Sequence, residues 1–110
     1  MFEYRAIVTK VYDGDTITVD IDLGFGIWVK AQKLRLYGID TPEVRGEERP
    51  EGLKSRDALR AKILGKEIKI KTKKDKKGKY GRWLATIYGE SDESINDWLL
   101  RENYAKPYGK

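Results

Sequence analysis

Neither histidine nor cysteine occurs anywhere in this sequence. Without cysteine there is no disulfide framework, no thiolate metal site and no cysteine nucleophile. Without histidine there is no Ser-His pair for acyl transfer and no imidazole ligand for zinc. Long apolar runs are missing as well. None approaches the roughly 18 residues of a membrane span, so no membrane partner is expected. Apolar residues make up 39% of the chain and charged residues 37%. Its 110 residues can therefore build one small core beneath a strongly charged surface. We read residues 1–110 as a single domain that works as a monomer. Met1-Phe2-Glu3-Tyr4-Arg5 enters a strand pattern at once, with no signal peptide. A cytoplasmic location is expected for the chain as written, and secretion only if a leader has been removed.

What is present in abundance is positive charge, unevenly spread. The formal net charge is +5. Residues 60–82 hold eleven Lys or Arg against Glu67 and Asp75, while the remainder is net acidic. A run of lysines on a strand can simply protect a sheet edge. This run leads straight into Lys79-Tyr80-Gly81-Arg82, which favours a strand and loop facing a polyanion.

Periodicity yields five strands and two helices. Residues 4–12 alternate, with Tyr4, Ala6 and Val8 on one face and Ile7 and Val11 on the other. Asp13-Gly14-Asp15 is a turn. In Thr16–Asp22, Ile17, Val19 and Ile21 face inward. Gly24-Phe25-Gly26 turns the chain into a long strand, Ile27 to Gly38. Its inward parity slips from Ile27, Val29 and Ala31 to Leu34 and Leu36, which implies a bulge or bend. Pro42 ends that segment, and residues 44–50 form a charged loop. Residues 51–64 read as a helix stopped by Gly65, with Leu59 and Ile63 on one face. Glu67–Lys73 is a strand, residues 76–79 a loop or hairpin turn, and Trp83–Tyr88 the fifth strand. Ser94 caps a short helix to Arg101, with Asp97 at the reciprocal capping position and Ile95, Trp98 and Leu99 sharing a face. The order is mainly β with some α (α+β). It fits a five-stranded Greek-key barrel of the OB type with two helices.

Three islands carry the chemistry: Asp13-Gly14-Asp15-Thr16, the stretch Arg35 to Glu43, and Lys79-Tyr80-Gly81-Arg82. Each alone is an ordinary turn or strand end. If the first three strands are barrel neighbours, the turn before strand 2 and the end of strand 3 converge. Asp15 and Asp40 then offer two carboxylates to one cation, and the Thr41 backbone carbonyl can add a third oxygen. A hard, all-oxygen set of this kind suits calcium and leaves room for water and a phosphate oxygen. Arg35 lies on the opposite face from Leu34 and Leu36, and Arg82 follows Gly81 at a strand start. Two such guanidinium groups can grip one phosphate in a bidentate manner. In a chain without histidine, Glu43 is the natural candidate for a general base.

These islands, in this order and spacing, resemble the staphylococcal nuclease (thermonuclease) family. Leu34-Arg35-Leu36-Tyr37-Gly38-Ile39-Asp40-Thr41-Pro42-Glu43 resembles its first arginine motif without a gap, and Tyr80-Gly81-Arg82 with Leu84-Ala85 resembles its second. The likeness runs from about Arg5 to Tyr108. It implies a calcium-dependent hydrolase that cuts single-stranded or frayed DNA and RNA at the bond to the 5′ oxygen, leaving 3′-phosphates. It further implies calcium ligation by Asp15, Asp40 and the Thr41 carbonyl, phosphate binding by Arg35 and Arg82, and activation or positioning of water by Glu43. Lys79, Tyr80 and Tyr108 are implied in the substrate site. Two rival readings are a non-catalytic nucleic-acid-binding module of the same fold and a purely structural barrel. The first would require substitutions at Asp15, Arg35, Asp40, Glu43 or Arg82, and this chain has none. The second leaves the converging carboxylates and arginines without a purpose.

Overall fold

The computed structural model describes residues 2–74 and 83–108. Seven strands and two α-helices follow in the order β1 (Phe2–Asp13), β2 (Thr16–Asp22), β3 (Trp28–Leu36), β4 (Ile39–Asp40), α1 (Arg49–Ile63), β5 (Glu67–Lys74), β6 (Trp83–Tyr88), α2 (Ile95–Arg101) and β7 (Lys106–Pro107). The five longer strands close a barrel in the order β1-β2-β3-β6-β5, and β4 pairs with β7 as a separate two-stranded sheet. Every barrel contact is antiparallel except β3 with β6. This is the expected OB-type architecture, mainly β with two helices. Among the described residues no helix is long and apolar enough to cross a membrane.

The alternating side chains of the strands fill the barrel. Ala6, Val8, Val11, Ile17, Val19, Leu34, Leu36, Ile68, Ile70, Ala85 and Ile87 are all buried. Each buried Val, Leu or Ile contributes about 1.5–3 kcal/mol relative to exposure. Two expectations need correction here. Val8 and Val11 do not lie on opposite faces. The register of β1 on β2 shifts between Val8 and Lys10, and this irregularity returns Val11 to the core. The parity slip in β3 is real, because the register shifts between Val19 and Ile21 of β2. However, Ile27 and Ala31 are exposed rather than inward. Ala31 has a left-handed backbone with φ 56°, and its N–H donates to Asp20 Oδ1 at 2.9 Å.

Helix α1 starts two residues earlier than the sequence pattern suggests. Pro50 lies in its first turn, where a missing N–H costs nothing. A 3₁₀ turn, Gly46–Glu48, leads into it where a plain loop was expected. Its buried residues, Gly52, Ser55, Leu59 and Ile63, repeat at helical spacing along one face. Leu59 and Ile63 close the end of the barrel core, whereas Gly52 and Ser55 let the helix approach the neighbouring loops. A Cβ at Gly52 would collide with the Glu43 carbonyl group and crowd the Pro42 carbonyl oxygen. The Ser55 hydroxyl donates to the Tyr104 carbonyl at 2.6 Å, and Arg60 donates through Nε and Nη2 to the Val11 carbonyl.

Helix α2 is capped as its sequence suggests, with Ser94 Oγ accepting from the Asp97 N–H at 3.0 Å. Ile95 and Leu99 are buried, and Trp98 packs against the core from its edge. A methyl group at Gly52 must push α1 and the 42–43 backbone apart. Gly52→Ala is therefore expected to destabilise the fold by about 1–3 kcal/mol, a fall in Tm of roughly 5–20 °C. Thermal melting by circular dichroism checks this, and an unchanged Tm would mean that the helix does not press on the loop.

Candidate active site at the β2–β3 end of the barrel

Strand register brings the first two islands together. Thr16 pairs with Arg35 across β2 and β3, and paired residues share a face. The Leu36 N–H donates to the Asp15 carbonyl at 2.8 Å, so the turn before β2 is tied to the end of β3. Gly14 makes this closure possible: a Cβ there would meet Thr41 Cγ2 at 2.7 Å and Ser55 Cβ at 2.9 Å. The turn, the loop after β4 and helix α1 therefore meet with no side chain between them at this point.

Asp15 is the hub. Its side chain is almost fully buried. Oδ1 accepts from the Thr16 hydroxyl at 3.1 Å, and Oδ2 accepts from the Thr41 N–H at 3.1 Å. Arg35 Nη1 lies 3.4 Å from that same Oδ2. Arg35 Nη2 lies 3.7 Å from Asp40 Oδ1 and donates to the Ile39 carbonyl at 3.2 Å. One guanidinium thus bridges the two carboxylates that the sequence reading assigns to a cation. An aromatic ring flanks it as well: Arg35 Cζ lies 4.9 Å from the centre of the Tyr108 ring. Tyr108 is held there by β4–β7 pairing and by its N–H donating to the Gly38 carbonyl at 3.0 Å.

Asp13 Oδ1 accepts from the Asp15 N–H at 3.0 Å, closing the turn as an Asx motif. Burial pushes its carboxyl up to about 6, helped by contact with the Asp15 side chain and by the Asp15 charge. These groups line a cleft of about 460 Å³ with Lys10, Tyr12, Thr18, Lys33, Asp40, Thr41 and Glu43. Glu43 is exposed on its rim, and its N–H donates to Glu48 Oε1 at 3.1 Å. A larger cleft, about 820 Å³, lies between α1, β5 and α2. It contains none of the residues predicted from sequence, so size is a poor guide to the chemistry here.

The structure therefore gathers Asp15, Arg35, Asp40, Thr41 and Glu43 at one cleft and sets Tyr108 against Arg35. Arg82, Tyr80 and Lys79 lie outside the described residues. Leu84 of β6 pairs with Arg35. Among the described residues no group of three or more acidic side chains converges as a ready metal cage. The carboxylates of Asp15 and Asp40 at this cleft are both paired with Arg35. The Thr41 hydroxyl is buried without a hydrogen-bond partner among the described residues, which leaves a polar group available for water or a ligand.

Sequence reasoning missed two positioning residues. Asn96 is buried on α2; its Oδ1 accepts from the Ile87 N–H, and its Nδ2 donates to the Tyr37 and Ala85 carbonyls at 2.9 and 3.0 Å. It locks α2 onto β6 and onto the chain just beyond Arg35. Gly52 is the other. A glycine inside an otherwise helical pattern was its signal.

The family profile described as "Staphylococcal nuclease homologue" matches residues 33–110. The chain is 33% identical over 102 residues to Thermonuclease of Staphylococcus hyicus, covering 90% of this chain and 56% of that protein. It is 30% identical over 115 residues to Endonuclease YhcR of Bacillus subtilis, covering 96% of this chain and 9% of that protein. An uncharacterized endonuclease of Escherichia coli O157:H7 is 31% identical over 101 residues, covering 92% of this chain and 59% of that protein. An OB-type barrel with carboxylates and an arginine at one cleft defines the class of this domain. The chain belongs to the staphylococcal nuclease family. It spans little more than half the length of the thermonuclease it matches.

The raised Asp13 carboxyl has a pH consequence. An unfolded chain releases that proton near 3.8 and the folded one near 6. Between these values the folded state binds more protons, so stability falls as pH rises through the window. In chelator, Asp13→Asn should gain Tm relative to the wild type as the pH rises from 4 to 6. Equal slopes in the two proteins would remove Asp13 as the cause.

Proposed function

We propose that this chain is a calcium-dependent nuclease that hydrolyses DNA and RNA phosphodiesters, with single-stranded or frayed substrate preferred. One observation carries the reading: the Arg35 guanidinium, set between Asp15, Asp40 and the Tyr108 ring, sits in a cleft that it shares with carboxylate and hydroxyl oxygens. Carboxylates alone would repel a phosphodiester. An arginine within the same cleft makes the site fit for an anion held beside a hard cation.

In this reading Asp15, Asp40 and the Thr41 carbonyl hold calcium. Bound there, the ion would act as a Lewis acid on phosphoryl oxygen and help to order water. Arg35 binds the scissile phosphate and meets the charge that builds on it in the transition state. Arg82, from the second arginine motif, serves the same phosphate. Glu43, on the cleft rim, orients the attacking water and accepts its proton. Water attacks phosphorus in line with the departing 5′ oxygen, the P–O bond to that oxygen breaks, and a 3′-phosphate remains. Tyr108 stacks on Arg35 and keeps the fork in plane. Tyr80 and Lys79 take part in substrate binding in this reading. The relatives' names, thermonuclease and endonuclease, support the nuclease part of this reading.

Calcium should switch on hydrolysis of single-stranded DNA and chelator should abolish it. Magnesium, with its stricter octahedral geometry, should support it poorly. Full cleavage in excess chelator would overturn the metal assignment, and no cleavage under any condition would leave a binding module.

Arg35→Lys keeps the charge and loses the fork. Turnover should drop on the order of 10²–10³-fold, as expected for loss of one preorganised donor, with calcium still required. Turnover equal to wild type at saturating substrate would take Arg35 out of the mechanism. Melting of the same preparation separates chemistry from folding.

A further inference from the structure

The tip of the β2–β3 hairpin is unlike the rest of the surface. Leu23, Phe25, Ile27 and Trp28 are exposed together, and Phe25 is 102% exposed. Phe25 also has a left-handed backbone, φ 56°, between Gly24 and Gly26 at φ 82° and 75°. A bulky side chain is disfavoured in that conformation, and glycine or asparagine would serve the turn better. With its surface wholly exposed, the Phe25 ring contributes nothing to the core. The turn places an aromatic ring in solvent against both local backbone preference and burial.

The hairpin is braced. Leu23 and Ile27 close it, the Leu23 N–H donating to the Ile27 carbonyl at 2.9 Å and the Ile27 N–H to the Gly24 carbonyl at 3.0 Å. Asp22 Oδ1 accepts from the Gly24 N–H at 2.8 Å. Asp20 accepts from the Ala31 N–H and pairs with Lys30 Nζ at 3.5 Å. Both carboxylates are therefore engaged in shaping the hairpin. Lys30 Nζ also lies 5.5 Å from the centre of the Trp28 ring.

Register decides which way the tip faces. Asp22 pairs with Trp28, Thr18 with Lys33, and Thr16 with Arg35. Thr16, Thr18 and Asp22 lie on one face of β2, because alternate residues share a face. Trp28 therefore lies on the same outer face as Arg35. Seven residues separate them, roughly 20 Å at the usual strand rise. Between them lies Lys33, and Lys10 joins the same row by pairing with Thr18. Arg35, a level with Lys33 and Lys10 on either side of Thr18, and then Trp28 follow along this face, and Phe25 lies beyond Trp28 at the exposed tip.

We propose that the β2–β3 hairpin is a second contact site for single-stranded nucleic acid, with Trp28 and Phe25 stacking on bases several nucleotides from the phosphate at Arg35. The site deepens the nuclease reading and rests on it. Stacking on exposed rings is tolerant of sequence because every base has a π face, and OB-type folds track about 4 or more nucleotides in this manner. Lys33 and Lys10 meet the intervening phosphates, and Lys30 adds charge beside the Trp28 ring. A lipid surface would also accept an apolar tip, but it would not call for alignment of that tip with Arg35 across two lysines.

The test uses Phe25→Ala, Trp28→Ala, the double variant and Trp28→Phe, none of which touches the cleft. Binding of a long fluorescent oligothymidylate is measured in chelator, so that no cleavage occurs. Cleavage of the same oligomer and of a thymidine dinucleotide is measured in calcium. Each alanine variant should weaken binding of the long oligomer about tenfold and raise its KM. Dinucleotide cleavage should not change, and Trp28→Phe should restore most of the affinity. Wild-type cleavage with undiminished affinity in the double variant would overturn the hairpin assignment alone. Phe25-dependent binding to phosphatidylserine vesicles, with oligomer affinity unchanged, would assign the tip to lipid instead. A wild type that neither binds nor cuts either substrate would overturn the nuclease reading and this inference together.

Discussion

Two places where no side chain fits hold this molecule's cleft together. At Gly14 the turn before β2 lies against Thr41 and Ser55, and at Gly52 helix α1 lies against the backbone of Pro42 and Glu43. Close packing leaves no slack at such points. Because the three segments touch, the Thr41 N–H can reach Asp15, and the carboxylates of Asp15 and Asp40 can share one guanidinium. The Asx turn at Asp13 and the Ser55 bond to Tyr104 then have fixed places to anchor. The charged groups of the cleft thus depend on two residues that bear no charge.

The electrostatic arrangement follows from that closeness. Buried carboxylates side by side raise the cost of ionisation, which is evident at Asp13. Arg35 lies between Asp15 and Asp40 as a positive charge among the carboxylates. It is itself constrained by a carbonyl bond and an aromatic face. An arginine fixed on several sides loses little freedom when an anion arrives, so less of the interaction is spent on ordering it. Tyr108 reaches it through the short β4–β7 pairing and its bond to the Gly38 carbonyl.

How much of this could be read from the amino acids varies by element, for physical reasons. Strands β2 and β6 were legible to the residue, because their inward and outward residues alternate without interruption. The irregularities of β1 were not, since Val8, Thr9 and Val11 can sit on either face until a partner strand fixes them. The two-residue strands β4 and β7 have no period at all and exist only through pairing across distant sequence. Asp15, Arg35, Asp40 and Glu43 stood out as a constellation because turns and strand ends were readable around them. Asn96 did not, because an asparagine on a short helix looks like a surface residue until the carbonyls of Tyr37 and Ala85 are found beside it. The second arginine motif, Tyr80 to Arg82, rests on its sequence pattern alone, outside the described residues.

The parallel contact between β3 and β6 has a bearing on how the chain comes to be folded at all. β1, β2 and β3 form a local meander that can zip up by short-range contacts. The outer edges of β1 and β3 find their partners only in β5 and β6, beyond helix α1. Contacts of that sequence separation raise the contact order and slow the search. During ribosomal synthesis the meander would emerge as an open three-stranded sheet with two unpaired edges, the exposed state most prone to intermolecular pairing. Like charges along a strand disfavour edge-to-edge pairing between copies, and β5 carries Lys69, Lys71, Lys73 and Lys74. That charge lies on the strand whose pairing with β1 closes the barrel.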